Sequence, residues 1–251
     1  MDKPRVAIFD FACCEGCQLQ IVDLEEEILD LISIVQPVEW REAMSEKSEE
    51  RHFDIAIVEG SITRPEDEER LRVIREGADV LVALGACAAI GGVNKLKNRF
   101  PMDDVRRTVY GKSADMPHLE TAPTKAAHEV VKVDYKIHGC PIDHKEFIHV
   151  VRSLALGREP VIPDYPVCVE CKLRENVCRY EYGEVCLGPI IRAGCGARCP
   201  SNGAWCFGCR GLVENPNVPA AMEVMEKYKL TVEDLKSRLK LFNNEEESVN
   251  A

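Results

Sequence analysis

Along the first part of the chain, continuous apolar runs alternate with runs whose apolar residues fall three or four apart. Arg5–Phe11 (RVAIFDF) has the pattern of a buried strand, and Phe53–Ile62 (FDIAIVEGSI), Asp79–Gly85 (DVLVALG) and the shorter Tyr135–Gly139 (YKIHG) repeat it. Helical spacing occurs between them. It predicts a helix from Gln18 with Ile21, Leu24, Ile28 and Leu31 on one face. A second helix should start at a Thr63/Glu66 capping box, bury Leu71 and Ile74 and stop at Gly77. A third should start at Asp143/Glu146, turn Phe147, Val150, Val151 and Leu154 inward and stop at Gly157. Strands alternating with helices in this way predict an α/β fold, a parallel sheet with helices on both faces.

That frame gives meaning to the cysteines. Cys14 and Cys17 follow the first strand, Cys87 follows DVLVALG, and Cys140 follows YKIHG. In an open parallel sheet all carboxyl ends lie along one edge, where ligands bind, so thiols far apart in sequence meet there. Gly16, Gly85, Gly91, Gly92 and Gly139 stand beside them, and glycine lets backbone approach a ligand closely. Four thiolates converging on such a rim suit a cubane iron–sulfur cluster. Two other readings compete: buried structural thiols, and zinc, which matches the ligand count but favours tight paired knuckles.

From Pro160 the periodicity fades. Eight cysteines follow among glycines and prolines: Cys168, Cys171, Cys178 and Cys186, then Cys195, Cys199, Cys206 and Cys209. The segment offers too few apolar side chains for an ordinary core, so bound inorganic groups are expected to serve as one. Two structural zincs are the alternative, although two Cys-x-x-Cys pairs alone would suffice for a zinc ribbon. After Asn217 the pattern returns to two helices, the second capped by Thr231 and Asp234 with Val232, Leu235 and Leu239 on one face. The expected organisation is residues 1–158, 159–215 and 216–251.

Composition narrows the function further. The chain has 251 residues, a net charge of -11 and 13 cysteines. The acidic balance argues against nucleic-acid binding, and no apolar run is long enough for a membrane span. The start passes directly into a strand without a leader pattern, which predicts a cytoplasmic chain. In that reducing setting, metal ligation is a better expectation than disulfides. The odd cysteine count leaves Cys13 outside three sets of four. No Walker loop, GxGxxG fingerprint or serine elbow is present, so no nucleotide is expected. Glu59, in VEG, stands to touch a cluster or a partner, with an ordinary solvated carboxylate as the equal alternative. His138 and His144, on either side of Cys140, are expected to be structural. The runs EKSEER and NNEEESVNA should be solvated or disordered.

The motifs CEGC (Cys14–Cys17), VEGSI (Val58–Ile62), GACAAIGG (Gly85–Gly92), GCP (Gly139–Pro141), CLGPIIRAGC (Cys186–Cys195) and CFGC (Cys206–Cys209) resemble the small, electron-transferring subunit of [NiFe] hydrogenases. The resemblance covers roughly residues 5–212. It implies a flavodoxin-like domain and three [4Fe-4S] clusters: proximal on Cys14, Cys17, Cys87 and Cys140; distal on Cys168, Cys171, Cys178 and Cys186; medial on Cys195, Cys199, Cys206 and Cys209. Periplasmic members carry histidine where this chain has Cys168 and often proline where it has Cys199. The chain is more similar to the cytosolic, multimeric class, which exchanges electrons with NAD(P), ferredoxin or a related carrier. The interior of CEGC holds no extra cysteine, so oxygen tolerance is not implied. A large subunit would hold nickel and iron, and further iron–sulfur or flavin subunits would complete the complex. The cluster subunit of respiratory Complex I is also similar and uses adjacent cysteines, which leaves a Cys13/Cys14 pairing open.

Overall fold

The computed structural model describes residues 3–45, 49–119 and 121–242. NNEEESVNA and the first three residues of EKSEER lie outside them. The chain divides into two compact units, Met1–Pro160 and Val161–Ala251.

The first unit is built on β1 (Arg5–Asp10), β2 (Gln36–Trp40), β3 (Phe53–Glu59), β4 (Ala78–Leu84) and β5 (Tyr135–Ile137). All neighbouring pairs are parallel and the order is β2-β1-β3-β4-β5. This is the flavodoxin-like order, with its switch point between β1 and β3. The central strands are almost wholly buried, as expected where helices cover both faces and the sequence runs apolar without alternation. Helices α1 (Gly16–Val22), α2 (Glu27–Ile34), α3 (Pro65–Glu76), α4 (Gly85–Ile90), α5 (Met102–Tyr110) and α6 (His144–Ala155) complete the unit. Ile21, Leu31, Phe147 and Val151 from α1, α2 and α6 face Val6, Ile8 and Ile57 on one side of the sheet. Leu71 and Ile74 from α3 pack with Ala56, Val58, Leu81 and Ala83 on the other.

Several local expectations are revised. The helix predicted from Gln18 is two helices. Between them Glu25 takes φ 52°, although Ile21, Leu24 and Leu31 are buried as the spacing implied. The Thr63/Glu66 box does not form. Arg64 is the cap residue, Pro65 opens α3, and Asp67 accepts the Thr63 backbone N–H and hydroxyl, each at 3.3 Å. At α6 the expected cap is present: Asp143 accepts the N–H groups of Lys145 and Glu146. Strand β2 has no counterpart among the expected elements, because Pro37 and two polar residues disguise it; proline is tolerated there because β2 is an edge strand.

The second unit contains α7 (Val167–Leu173), α8 (Arg198–Ser201), α9 (Val218–Lys227) and α10 (Val232–Leu239). It does have an apolar core, contrary to the expectation that inorganic groups must replace one. Val167, Tyr180, Leu187, Ile190 and Ile191 from the cysteine-rich segment pack with Val218, Ala221, Met225, Leu235 and Leu239 from the last two helices. The helices after Asn217 thus complete a core that the segment lacks by itself. Arg238 of α10 adds a stack on the Trp205 ring, 4.0 Å from its centroid. The Thr231–Asp234 capping box forms as predicted. No helix among the described residues is long and apolar enough to cross a membrane.

Candidate metal centres

Strands β1, β4 and β5 end at the carboxyl edge of the sheet and deliver Cys14, Cys17, Cys87 and Cys140 there. Cys14 precedes α1 and Cys17 lies in its first turn; Cys87 is in the first turn of α4, and Cys140 follows β5. Cys17 is buried, Cys87 partly so, and Cys14 and Cys140 are exposed. Burial first, then the neighbouring Cys140 and Cys14 sulfurs, together push the Cys87 thiol up to about 12. Cys140, although exposed as a residue, is raised by the partial desolvation of its sulfur and then by Cys14, and Cys17 is raised by burial, Glu59 and Cys87. The four sulfurs are therefore electrostatic neighbours.

The rim excludes side chains. A Cβ on Gly85, whose φ is 78°, would lie 2.3 Å from Cys17 Sγ. One on Gly92, with φ 56°, would lie 2.9 Å from Cys87 Sγ. Both positions demand glycine on two independent grounds.

Strand β3 lies between β1 and β4 and contributes a carboxylate in place of a thiol. Glu59, 2% exposed, accepts the backbone N–H of Cys17 at 3.0 Å and of Gln18 at 3.3 Å. These belong to the N–H groups that a helix start leaves without intrahelical partners, and α1 has no side-chain cap of its own. Glu59 is thus not a solvated carboxylate; it ties α1 to the sheet edge beside Cys17. Gln18 extends the network, accepting from Trp40 Nε1 at 2.9 Å and donating to Glu15 at 2.6 Å. Cys13 lies beside this network: its Sγ donates to the Phe11 carbonyl at 3.3 Å, and its ligand atom lies within 4.8 Å of those of Glu15 and Glu59. His138 is 7% exposed at the end of β5, and His144 opens α6.

In the second unit the remaining eight thiols form two electrostatic neighbourhoods. Burial, followed by Cys186, Cys171 and Cys178, together push Cys168 up to about 12. Cys199 is raised by burial and then by Cys195. Cys206 is raised strongly, first by burial and then by Cys186, with smaller contributions from Cys209 and Cys195. Cys206 thus adjoins both sets, and its backbone N–H donates to Cys186 Sγ at 3.2 Å. Gly188 faces Cys168 and Cys186, where a Cβ would meet their sulfurs at 3.2 and 3.5 Å.

Sequence reasoning missed the residue that joins these loops. Glu170, between Cys168 and Cys171 on α7, accepts the N–H of Gly194 at 2.9 Å and of Ala197 at 3.1 Å. Its carboxylate spans the turn that carries Cys195, in which buried Ala197 takes a left-handed φ of 49°. The only hint in the sequence was a charged residue inside a Cys-x-x-Cys pair.

Comparison with known proteins agrees with this geometry. A family model described as NADH ubiquinone oxidoreductase, 20 kDa subunit, matches residues 14–154. The chain belongs to that family. Its relatives extend the likeness across both units. The delta subunit of sulfhydrogenase 2 from Pyrococcus furiosus is 37% identical over 239 residues, covering 95% of this chain and 98% of the relative. A component of the F420-non-reducing hydrogenase vhu from Methanococcus voltae is 32% identical over 241 residues, 85% of this chain and 84% of its own length. Among solved structures, an NAD+-reducing [NiFe]-hydrogenase in the H2-reduced state contains a chain with a TM-score of 0.58 and 29% identity. That likeness covers 64% of this chain and 96% of the other. The 20 kDa family member described here therefore has hydrogenase subunits, components of oxidoreductases, as relatives.

Proposed function

We propose that this chain is the electron-transfer subunit of a cytoplasmic, multimeric [NiFe] hydrogenase. Its part is to carry electrons between the nickel–iron site of a large subunit and an NAD(P)- or ferredoxin-linked partner. Three [4Fe-4S] clusters would be held by Cys14, Cys17, Cys87 and Cys140; by Cys168, Cys171, Cys178 and Cys186; and by Cys195, Cys199, Cys206 and Cys209. Further iron–sulfur or flavin subunits belong to the same reading. What supports it most is the delivery of Cys14, Cys17, Cys87 and Cys140 to one edge of a parallel sheet, where Gly85 and Gly92 leave no room for a Cβ beside the Cys17 and Cys87 sulfurs.

The donor chemistry fits. Four thiolates are the ordinary ligand set of such clusters, and each cluster supplies one-electron redox chemistry when bound. A single zinc ion, with Zn–S near 2.3 Å, would need four sulfurs within about 4 Å of one another. Among the described residues, the one group of three ligand atoms that all lie within 4.8 Å of one another is Cys13, Glu15 and Glu59. The wider setting of the twelve thiols supports a polynuclear group. Burial favours the protonated thiol at each raised position, so binding of iron must displace those protons. Glu59 and Glu170 fix the helix start and the turn from which Cys17 and Cys195 project.

Anaerobic isolation tests the reading. The expected product is brown, bleaches with dithionite, contains about twelve iron atoms per chain and co-purifies with a nickel-containing subunit. A colourless, zinc-loaded protein overturns it. An iron-loaded protein that accompanies a quinone-reducing assembly without nickel would instead indicate the Complex I-like role.

A further inference from the structure

Asn176 lies where α7 ends. Arg174 closes the helix and Glu175 takes φ 56°, a left-handed conformation that folds the chain back over the last turn. The Asn176 backbone N–H consequently donates to the Cys171 carbonyl at 3.2 Å. Its side chain reaches the same residue, with Nδ2 donating to Cys171 Sγ at 3.7 Å, within range for a sulfur acceptor. The same nitrogen donates to Ser201 Oγ at 2.9 Å. Both amide hydrogens thus have an acceptor, which fixes the direction of the one aimed at sulfur. Cys171 belongs to the proposed distal set, and Ser201 ends α8, which carries Cys199 of the proposed medial set.

An N–H group presents the positive end of its dipole to the sulfur. Adding an electron to a thiolate-ligated cluster increases negative charge on the sulfurs, which strengthens the hydrogen bond. The reduced state is stabilised more than the oxidised one, and the potential rises. We propose that Asn176 raises the reduction potential of the distal cluster through its hydrogen bond to Cys171 Sγ, with Ser201 holding the amide in register. The inference rests on the electron-transfer reading given above. Asn176 acts through Cys171 and is a positioning residue.

The test is a redox titration of the anaerobically isolated complex followed by electron paramagnetic resonance. The distal signal is identified as the one altered by Cys178→Ser. Asn176→Leu removes the donor, and the distal midpoint should fall while the other two stay in place. Asn176→Asp keeps the shape and can still meet the Ser201 hydroxyl, but sets a negative charge by the sulfur; the fall should be larger. Ser201→Ala, at an exposed position that leaves every thiol and Asn176 intact, should give a smaller fall in the same direction. An unmoved distal midpoint across the iron-replete variants, or an equal shift of all three signals, overturns the inference alone. An iron-poor wild-type protein overturns the electron-transfer reading and the inference with it.

Discussion

In the first unit, four thiols project from the carboxyl edge of a sheet whose inner strands are buried on both faces. In the second, eight thiols are threaded through turns and two short helices around a core completed by α9 and α10. The sheet positions its thiols as a consequence of strand order, and hydrogen-bonded ladders hold that order whether or not iron is present. Among its described residues the second unit has only isolated bridges, Pro166 with Arg192 and Ile191 with Leu212. Besides scattered backbone hydrogen bonds such as Val167 N–H to the Ile191 carbonyl, its turns are held by individual side-chain contacts: Glu170 across the Gly194–Ala197 turn, Tyr180 Oη on the Cys186 carbonyl at 2.7 Å, and Cys206 N–H on Cys186 Sγ. Geometry that a sheet provides by repetition must be specified there residue by residue.

Removing iron should separate the two most sharply. Hydrogen exchange on chelator-stripped protein is expected to leave β1, β3 and β4 protected while protection over residues 161–242 collapses, because eight ligand thiols there lose their common partner. Retained protection in that segment would show that the apolar core suffices, and would break the contrast. Met225→Ala, at a position 1% exposed, should destabilise the second unit by about 2–5 kcal/mol, read as an earlier denaturant transition in that unit alone. It tests whether α9 belongs to the cluster-bearing core.

Smaller effects probe single contacts. Glu59→Gln replaces an acceptor of two N–H groups with an amide that can accept from only one side, at a cost of about 1–3 kcal/mol. The loss should show as faster exchange at Cys17 and Gln18. Glu170→Ala strands the N–H groups of Gly194 and Ala197; the expected loss is similar, with the iron signal of the Cys195 set most affected.

The pH effect at Asp134 is the smallest. Burial raises its pKa, but the Leu81 N–H at 2.9 Å and the Arg75 guanidinium at 2.5 Å outweigh that, and the net shift is downward. A carboxylate with a depressed folded pKa contributes stability above its unfolded value, about 3.9, and loses it as pH falls through the folded value. Asp134→Asn should therefore lower the urea midpoint at pH 6, equivalent to a loss of about 1 kcal/mol, and the difference from the parent should shrink as pH falls through the folded value. A gap that persists in acid would assign the effect to shape rather than charge.

Strands β1, β3, β4 and β5 and helices α3, α6, α9 and α10 could be read in the sequence because each satisfies a local rule of spacing, capping or continuous burial. Strand β2 escaped because a proline on an edge strand resembles a turn. The break between α1 and α2 escaped because the apolar spacing runs on across Glu25. Cysteine spacing combined with strand ends was enough to nominate the twelve thiols. It gave no sign that the β3 carboxylate would bind the first turn of α1, nor that Glu170 and Asn176 would tie one thiol set to the turns of the other.

The sequence by itself determined strands β1, β3, β4 and β5, helices α3, α6, α9 and α10, the parallel class of the sheet, and which thiols are candidates for metal binding. Those properties depend on residues within a few positions of one another. Tertiary structure alone decided that Val167, Leu187 and Ile191 share a core with Met225 and Leu235, that Glu59 is buried against Cys17, and that Asn176 points at Cys171 Sγ. Each of those contacts depends on the direction of a side chain after the backbone has turned, and no local pattern of polar and apolar residues encodes that direction.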